Sequence, residues 1–76
     1  MILLRLTEKG IVRTTHYIQP RHIRRLAQSD DGTYLRMVHG APLLVSETAG
    51  RIAHAMVTLR EPGVYALIDG AWVVLS

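Results

Sequence analysis

A short basic cluster contains the side chains best suited to bind a ligand. Arg21, Arg24 and Arg25 fall within one short stretch, and Arg13 is expected beside them if residues 11–18 form the adjacent strand. A guanidinium group can donate two parallel hydrogen bonds to a phosphate, and each such contact adds salt-sensitive affinity for nucleic acid. The cluster is therefore a candidate contact for phosphates or nucleic acid.

Two aromatic residues, Tyr17 and Tyr34, are candidate stacking surfaces for bases near this cluster. A second interpretation of the cluster is structural. Alternating charges are common on solvated or edge strands, where they discourage pairing with other chains. The sequence favours this structural interpretation, so nucleic-acid binding is an alternative rather than the leading expectation.

No other polar residues are spaced as a catalytic or metal site requires. The four histidines lack the close spacing of a metal-binding pair, and the chain has no cysteine to supply a thiolate. The aspartates fall in predicted turns, where their side chains bond to the local backbone. The glycines are isolated and do not form a phosphate-binding loop. We therefore expect no enzymatic activity, no metal ion and no cofactor.

Length and composition favour a small domain that associates with itself. A single domain of 76 residues buries only about 60% of the surface that its unfolded chain exposes. Hydrophobic residues nevertheless make up 49% of the chain. Small domains usually add disulfides, metals or subunit contacts, and without cysteine we expect homo-oligomerisation. No stretch has the pattern of a signal peptide or a membrane span, so we expect a cytoplasmic protein without membrane insertion.

The first half of the chain has the patterns of several short strands. Residues 2–6 alternate between apolar and other positions, which predicts a strand with one buried face, and a turn at residues 8–10 leads into residues 11–18. Residues 21–28 suit either one helical turn or a bulged strand. We favour the strand, because residues 29–32 have the composition of a hairpin loop. Two further strands are predicted at residues 33–39 and residues 43–45.

A helix is predicted over residues 46–59. Ser46 is the expected N-cap, because its hydroxyl can accept a hydrogen bond from the first helical turn, and Glu47 lies where the helix dipole favours an anion. Pro62 and Gly63 end the helix. The apolar residues at helical spacing predict the stripe that packs on the sheet. They are Ala49, Ile52, Ala53, Met56 and Val57.

The C-terminal segment predicts a β-hairpin whose strands flank Asp69 and Gly70. A two-residue turn fixes the register, so Leu67 should lie opposite Trp72. Both faces of this hairpin are apolar, and an apolar face that the rest of a small chain cannot cover usually marks a contact with another protein. We therefore expect an oligomer interface on one face, formed by Tyr65, Leu67, Trp72 and Val74. A doubly covered position inside a monomer is the alternative.

Residues 1–58 resemble the small flagellar FlbD-type proteins, which are associated with swarming motility. The resemblance consists of short elements that follow one another in the family order. They are Ile2-Leu3-Leu4-Arg5-Leu6 with Lys9-Gly10, Gln19-Pro20-Arg21-His22-Ile23-Arg24-Arg25-Leu26, Thr33-Tyr34-Leu35-Arg36-Met37-Val38-His39-Gly40 and Leu44-Val45-Ser46-Glu47-Thr48. The resemblance implies no catalytic residue. The strand order is also loosely similar to that of LytTR-type DNA-binding domains.

These observations predict an α+β fold, in which an antiparallel sheet of about six short strands is covered by one helix. Residues 1–58 would form the FlbD-like core and residues 64–75 an appended hairpin. The expected function is that of a bacterial, non-enzymatic interaction or scaffold module that homo-oligomerises and binds a protein partner. The alternative is a regulatory nucleic-acid-binding protein that uses the basic cluster. The predicted core residues are Leu4, Leu6, Ile23, Leu26, Leu35, Met37, Leu44, Ile52, Met56 and Ile68.

Overall fold

The computed structural model describes residues 1–76 and has an α+β fold, as predicted. Seven strands form one mixed sheet, compared with the prediction of about six. The strands are β1 (Ile2–Glu8), β2 (Thr14–Ile18), β3 (Ile23–Ser29), β4 (Gly32–Met37), β5 (Leu43–Val45), β6 (Gly63–Ile68) and β7 (Ala71–Val74). One helix, α1 (Ala49–Thr58), connects β5 to β6, and a single 3₁₀ turn (Pro20–His22) precedes β3.

The strand order is β3-β4-β5-β1-β6-β7, and β2 pairs with β1 outside this path. Most pairs are antiparallel, but β1 and β6 run parallel, so the prediction of an antiparallel sheet holds only in part. This pairing brings the two ends of the chain together and makes the C-terminal hairpin part of the sheet.

Two strands share one edge of β1, and a side chain closes the gap between them. β6 pairs with Ile2 to Arg5, whereas β5 meets β1 only at Glu8. The amide of Thr7 lies between these two contacts and donates to Oε1 of Glu47 at 2.9 Å. Glu47 thus completes the backbone hydrogen bonds at the point where the two halves of the sheet join.

Helix α1 begins three residues later than predicted. Ser46 is part of the sheet junction, because its amide and its hydroxyl both donate to the carbonyl oxygen of Thr7. Thr48 is the N-cap, and its hydroxyl accepts from the amide of Arg51 at 3.4 Å. The amide of Ala49 donates to the side-chain oxygen of Gln28 at 2.8 Å. The first helical turn therefore obtains its acceptors from Thr48 and from strand β3.

The core lies between the sheet and one side of α1. Five of the predicted core residues are buried, namely Leu4, Leu6, Ile23, Leu35 and Ile52, and Leu26 and Met37 pack against them. Leu44 is half-buried. The predictions for Met56 and Ile68 are wrong, because these side chains are 36% and 43% exposed. The sequence reading missed Ile18, Val45, Ala55 and Tyr65, which are buried in the same core.

The helix is rotated relative to the predicted stripe. Ile52 and Ala55 are its buried residues, so the face that meets the sheet is centred between them. Ala53, Met56 and Val57 were predicted to be on the buried side and are exposed. Because apolar residues cover more than one face of this helix, their spacing alone did not identify the face that packs.

Candidate interaction surfaces

The predicted oligomer interface on the C-terminal hairpin faces the inside of the molecule over most of its length. Tyr65 is only 8% exposed, and its hydroxyl donates to the carbonyl oxygen of Glu61 at 2.8 Å. Trp72 is half-buried against the core, and Leu67 is also half-buried. Val74, at the end of the strand, is the exposed member of the four. The interface prediction is therefore corrected for Tyr65, which packs in the protomer core.

The opposite face of the same hairpin is the exposed one. Its side chains point away from α1, because residues alternate between the two faces of a strand. Ile68, Val73 and Leu75 are 43%, 41% and 44% exposed. Ala66 lies on the same face between Arg5 and Val73 and is buried. We call Ile68, Val73 and Leu75 the outer patch. It is an apolar surface that no element of the protomer covers.

Strand β7 is also a free edge of the sheet. Ile68 and Ala71 flank the two-residue turn, and Asp69 and Gly70 both have positive φ, which fits a turn that follows the twist of the strands. Hydrogen-bonded pairs then alternate with non-bonded pairs along the hairpin. The amide of Leu75 donates to the carbonyl oxygen of Val64 at 2.6 Å, as this alternation requires. The main-chain groups of Trp72 and Val74 therefore point outward, away from β6.

Three of the four predicted phosphate-binding arginines are exposed within one short segment. Arg21, Arg24 and Arg25 are exposed at the 3₁₀ turn and the beginning of β3. Arg13 is at the other end of strand β2. The rise of five extended residues places it roughly 16 Å away from the cluster. The prediction that Arg13 joins the cluster is wrong, since β2 separates it from Arg21.

A bulge in β3 leaves two consecutive arginines, Arg24 and Arg25, exposed. The register between β3 and β4 shifts between Ile23 and Arg25, so Arg24 is an extra residue. Ile23 is buried and Leu26 packs on the core, and the two arginines between them are exposed. The bulged strand was one of the two alternatives for residues 21–28, and it is observed from Ile23 onward, whereas residues 21 and 22 belong to the 3₁₀ turn.

Sequence reasoning missed a further arginine of this cluster. Arg36 on β4 lies directly opposite Arg25 on β3. Tyr34 is two residues before Arg36, so it is on the same face, and it is 47% exposed. Tyr17 lies on β2, opposite Arg5, and is not part of this surface. Arg25 lies opposite Arg36 because of the bulge. The sequence spacing was compatible with a bulged strand, but it did not fix the register of the residues that follow the bulge.

No arginine of the chain is neutralised by an acidic partner. The one contact within 4 Å between a basic and an acidic side chain joins Nε2 of His16 to Oε1 of Glu8 at 2.7 Å, so none of the eight arginines lies within 4 Å of a carboxylate. Glu47 is engaged with the amide of Thr7. The arginines of the β3–β4 surface therefore form no direct pair with a carboxylate of the protomer.

A groove runs beside the exposed side of α1. It encloses about 510 Å³ and is lined by apolar side chains together with Gln19 and Arg21. Met56 forms part of its wall and is 36% exposed. No three His, Asp or Glu side chains are grouped closely enough to hold a metal ion.

Comparisons of the chain with models of protein families, with curated proteins and with solved structures found no match. None of its helices has the length and apolar character needed to cross a membrane.

Proposed function

We propose that this chain is a non-enzymatic, cytoplasmic interaction module that forms a homodimer through the free edge of strand β7. The single observation that carries this proposal is that β7 has unpaired main-chain groups and an apolar outer face. Such an edge is a template for pairing with another strand, and native proteins normally protect it with charges, proline or a covering element. β7 has none of these protections.

The occupant that fits this edge is a second copy of the chain. The free edge of β3 carries Arg24 and Arg25, and two such edges would repel each other if they paired. The exposed part of β2 is rich in threonine and includes His16. β7 contains only Ala71, Trp72, Val73 and Val74, so two antiparallel copies meet without a charge and without a proline.

One register uses all of the outward main-chain groups. If Trp72 of one copy lies opposite Val74 of the other, each pair exchanges two hydrogen bonds. The two pairs are related by a two-fold axis, as expected for a self-complementary dimer interface. Val73 is then on the axis and faces its own counterpart. The outer patches of the two copies become neighbours on one continuous sheet, so apolar area is buried in addition to the backbone bonds.

The resemblance of residues 1–58 to FlbD-type proteins indicates a cellular process in which the proposed dimer would act. A dimer of this kind would act as a scaffold that binds a protein partner involved in bacterial motility. The groove beside Met56 and the basic β3–β4 surface both remain exposed in the proposed dimer, because neither includes a residue of β7.

Sedimentation velocity of the purified chain over a wide range of concentrations tests the dimer. The chain should sediment as a dimer, and Val73→Lys should convert it to a monomer, because two lysines would meet on the axis. Val12→Lys is the matched control, since Val12 is 77% exposed in the turn between β1 and β2. The proposal is wrong if the unmodified chain remains monomeric up to high micromolar concentration, or if both variants dissociate it equally.

A further inference from the structure

We propose that the outer surface of the β3–β4 hairpin binds single-stranded nucleic acid. Arg24, Arg25 and Arg36 would contact phosphates, and Tyr34 would stack on a base. This surface lies on β3 and β4, whereas the proposed dimer forms through β7, so the two proposals are independent.

The charge arrangement of this surface fits an anionic ligand. The bulge leaves the consecutive Arg24 and Arg25 exposed, and Arg36 lies directly across from Arg25. Like charges opposite each other on neighbouring strands destabilise a sheet. No carboxylate is within 4 Å of any of these guanidinium groups. A phosphate between them would accept paired hydrogen bonds and remove the repulsion.

The aromatic residue beside the arginines favours a nucleic acid over other polyanions. Tyr34 and Arg36 are on one face of β4 and are separated along the strand by about 7 Å, the rise of two residues. Ala27, a residue with a small side chain, lies opposite Tyr34, and Tyr34 is 47% exposed. A base can stack on this ring while its neighbouring phosphate reaches the arginines. Stacking requires a base that is not paired, so a single strand is the expected ligand.

The arrangement includes an internal control for charge. Arg13 is exposed, and it is at the far end of β2 from the proposed surface. Arg36→Gln and Arg13→Gln therefore change the net charge equally and differ only in position. Tyr34→Leu and Tyr17→Leu form a second pair, because Tyr17 is also exposed, at 55%, and lies opposite Arg5.

Fluorescence polarisation with a labelled oligonucleotide of roughly 16 nucleotides provides the readout. The affinity should fall steeply between about 50 mM and 200 mM salt. Arg36→Gln should reduce the slope of log K against log salt concentration by about 0.7, the value for one phosphate contact on a single strand. Tyr34→Leu should weaken binding about 5- to 150-fold. Arg13→Gln and Tyr17→Leu should leave binding unchanged.

The thermal midpoint of Arg36→Gln should stay the same or rise, because the substitution removes a like-charge pair. Weaker binding by that variant then cannot be attributed to unfolding. Absence of binding at about 50 mM salt would overturn the proposal. Equal losses for Arg36→Gln and Arg13→Gln would also overturn it, as would tighter binding to duplex DNA or equally strong displacement by poly-glutamate.

Discussion

The indole Nε1–H of Trp72 donates a hydrogen bond to the main-chain carbonyl oxygen of Arg51, 2.7 Å away. This bond joins strand β7 to the first turn of helix α1. It places one face of the C-terminal hairpin against the helix and leaves the opposite face, with Val73, exposed. Most of the face on which the sequence predicted an interface therefore packs towards the helix, and Val74 at the end of the strand is its exposed member.

Trp72→Phe should lower the free energy of unfolding by about 0.5–1.5 kcal/mol, because it removes this hydrogen bond while keeping an aromatic ring. The change is measured as a shift of the urea midpoint at a fixed protein concentration. Tyr17→Phe is the control, since Tyr17 is exposed and should shift stability by less than about 0.5 kcal/mol. Equal midpoints for the two variants would show that the indole bond does not stabilise the fold.

Met56→Ala should cost less than about 1 kcal/mol, because Met56 is 36% exposed on the groove side of α1. Ile52→Ala, on the buried side of the same helix, should cost about 2–5 kcal/mol. Denaturant unfolding of the two variants measures both values. A larger loss for Met56→Ala than for Ile52→Ala would mean that the helix packs through the stripe predicted from the sequence.

Neither the N-cap of α1 nor the face that packs on the sheet could be decided from the local sequence pattern. Two residues, Ser46 and Thr48, are both good N-caps, and the choice between them depends on Thr7, which is distant in sequence and binds Ser46 in the sheet junction. Apolar residues surround most of the helix, so several stripes fit the same spacing. The face that packs is selected by the sheet, which the local pattern does not describe.

Local turn signals were more informative. Asp69 and Gly70 fix a two-residue turn, and the structure pairs Leu67 with Trp72 as this turn requires. The spacing of Ile23 and Leu26 fitted either a helical turn or a bulged strand, and the hairpin loop at residues 29–32 favoured the strand, which the structure has. The parallel pairing of β1 with β6 was not predictable, because no turn connects these strands and residues 9–62 lie between them.

Glu47→Ala should lower the free energy of unfolding by about 1–3 kcal/mol, since the amide of Thr7 would lose its acceptor at the junction of β5 and β6. Glu47→Gln keeps an oxygen in place and should restore most of this loss. Thermal unfolding of the three proteins at one concentration compares them. Equal midpoints for Glu47→Ala and Glu47→Gln would contradict a role for the side-chain acceptor.

Gly32→Ala should be more destabilising than Gly40→Ala. Both glycines have positive φ, at 145° and 90°, so alanine is conformationally unfavourable at each. At Gly32 the added Cβ would also overlap the carbonyl oxygen of Val45, whereas nothing lies near the corresponding position at Gly40. We expect a loss of about 1–2 kcal/mol for Gly40→Ala and a larger one for Gly32→Ala. Urea unfolding measures both losses. A larger loss of stability for Gly40→Ala than for Gly32→Ala would contradict the packing of β4 against β5.

Disulfide trapping of Val73→Cys tests the proposed β7 dimer most directly. The chain has no cysteine of its own, so any disulfide must join two molecules. Residues opposite each other in a non-hydrogen-bonded antiparallel pair have Cα atoms about 4.5 Å apart, which a disulfide can span. Under mild oxidation, Val73→Cys should form a covalent dimer rapidly and nearly completely, while the exposed control Val12→Cys should remain largely monomeric on a non-reducing gel. Equally slow cross-linking of the two variants would contradict a dimer with Val73 on its two-fold axis.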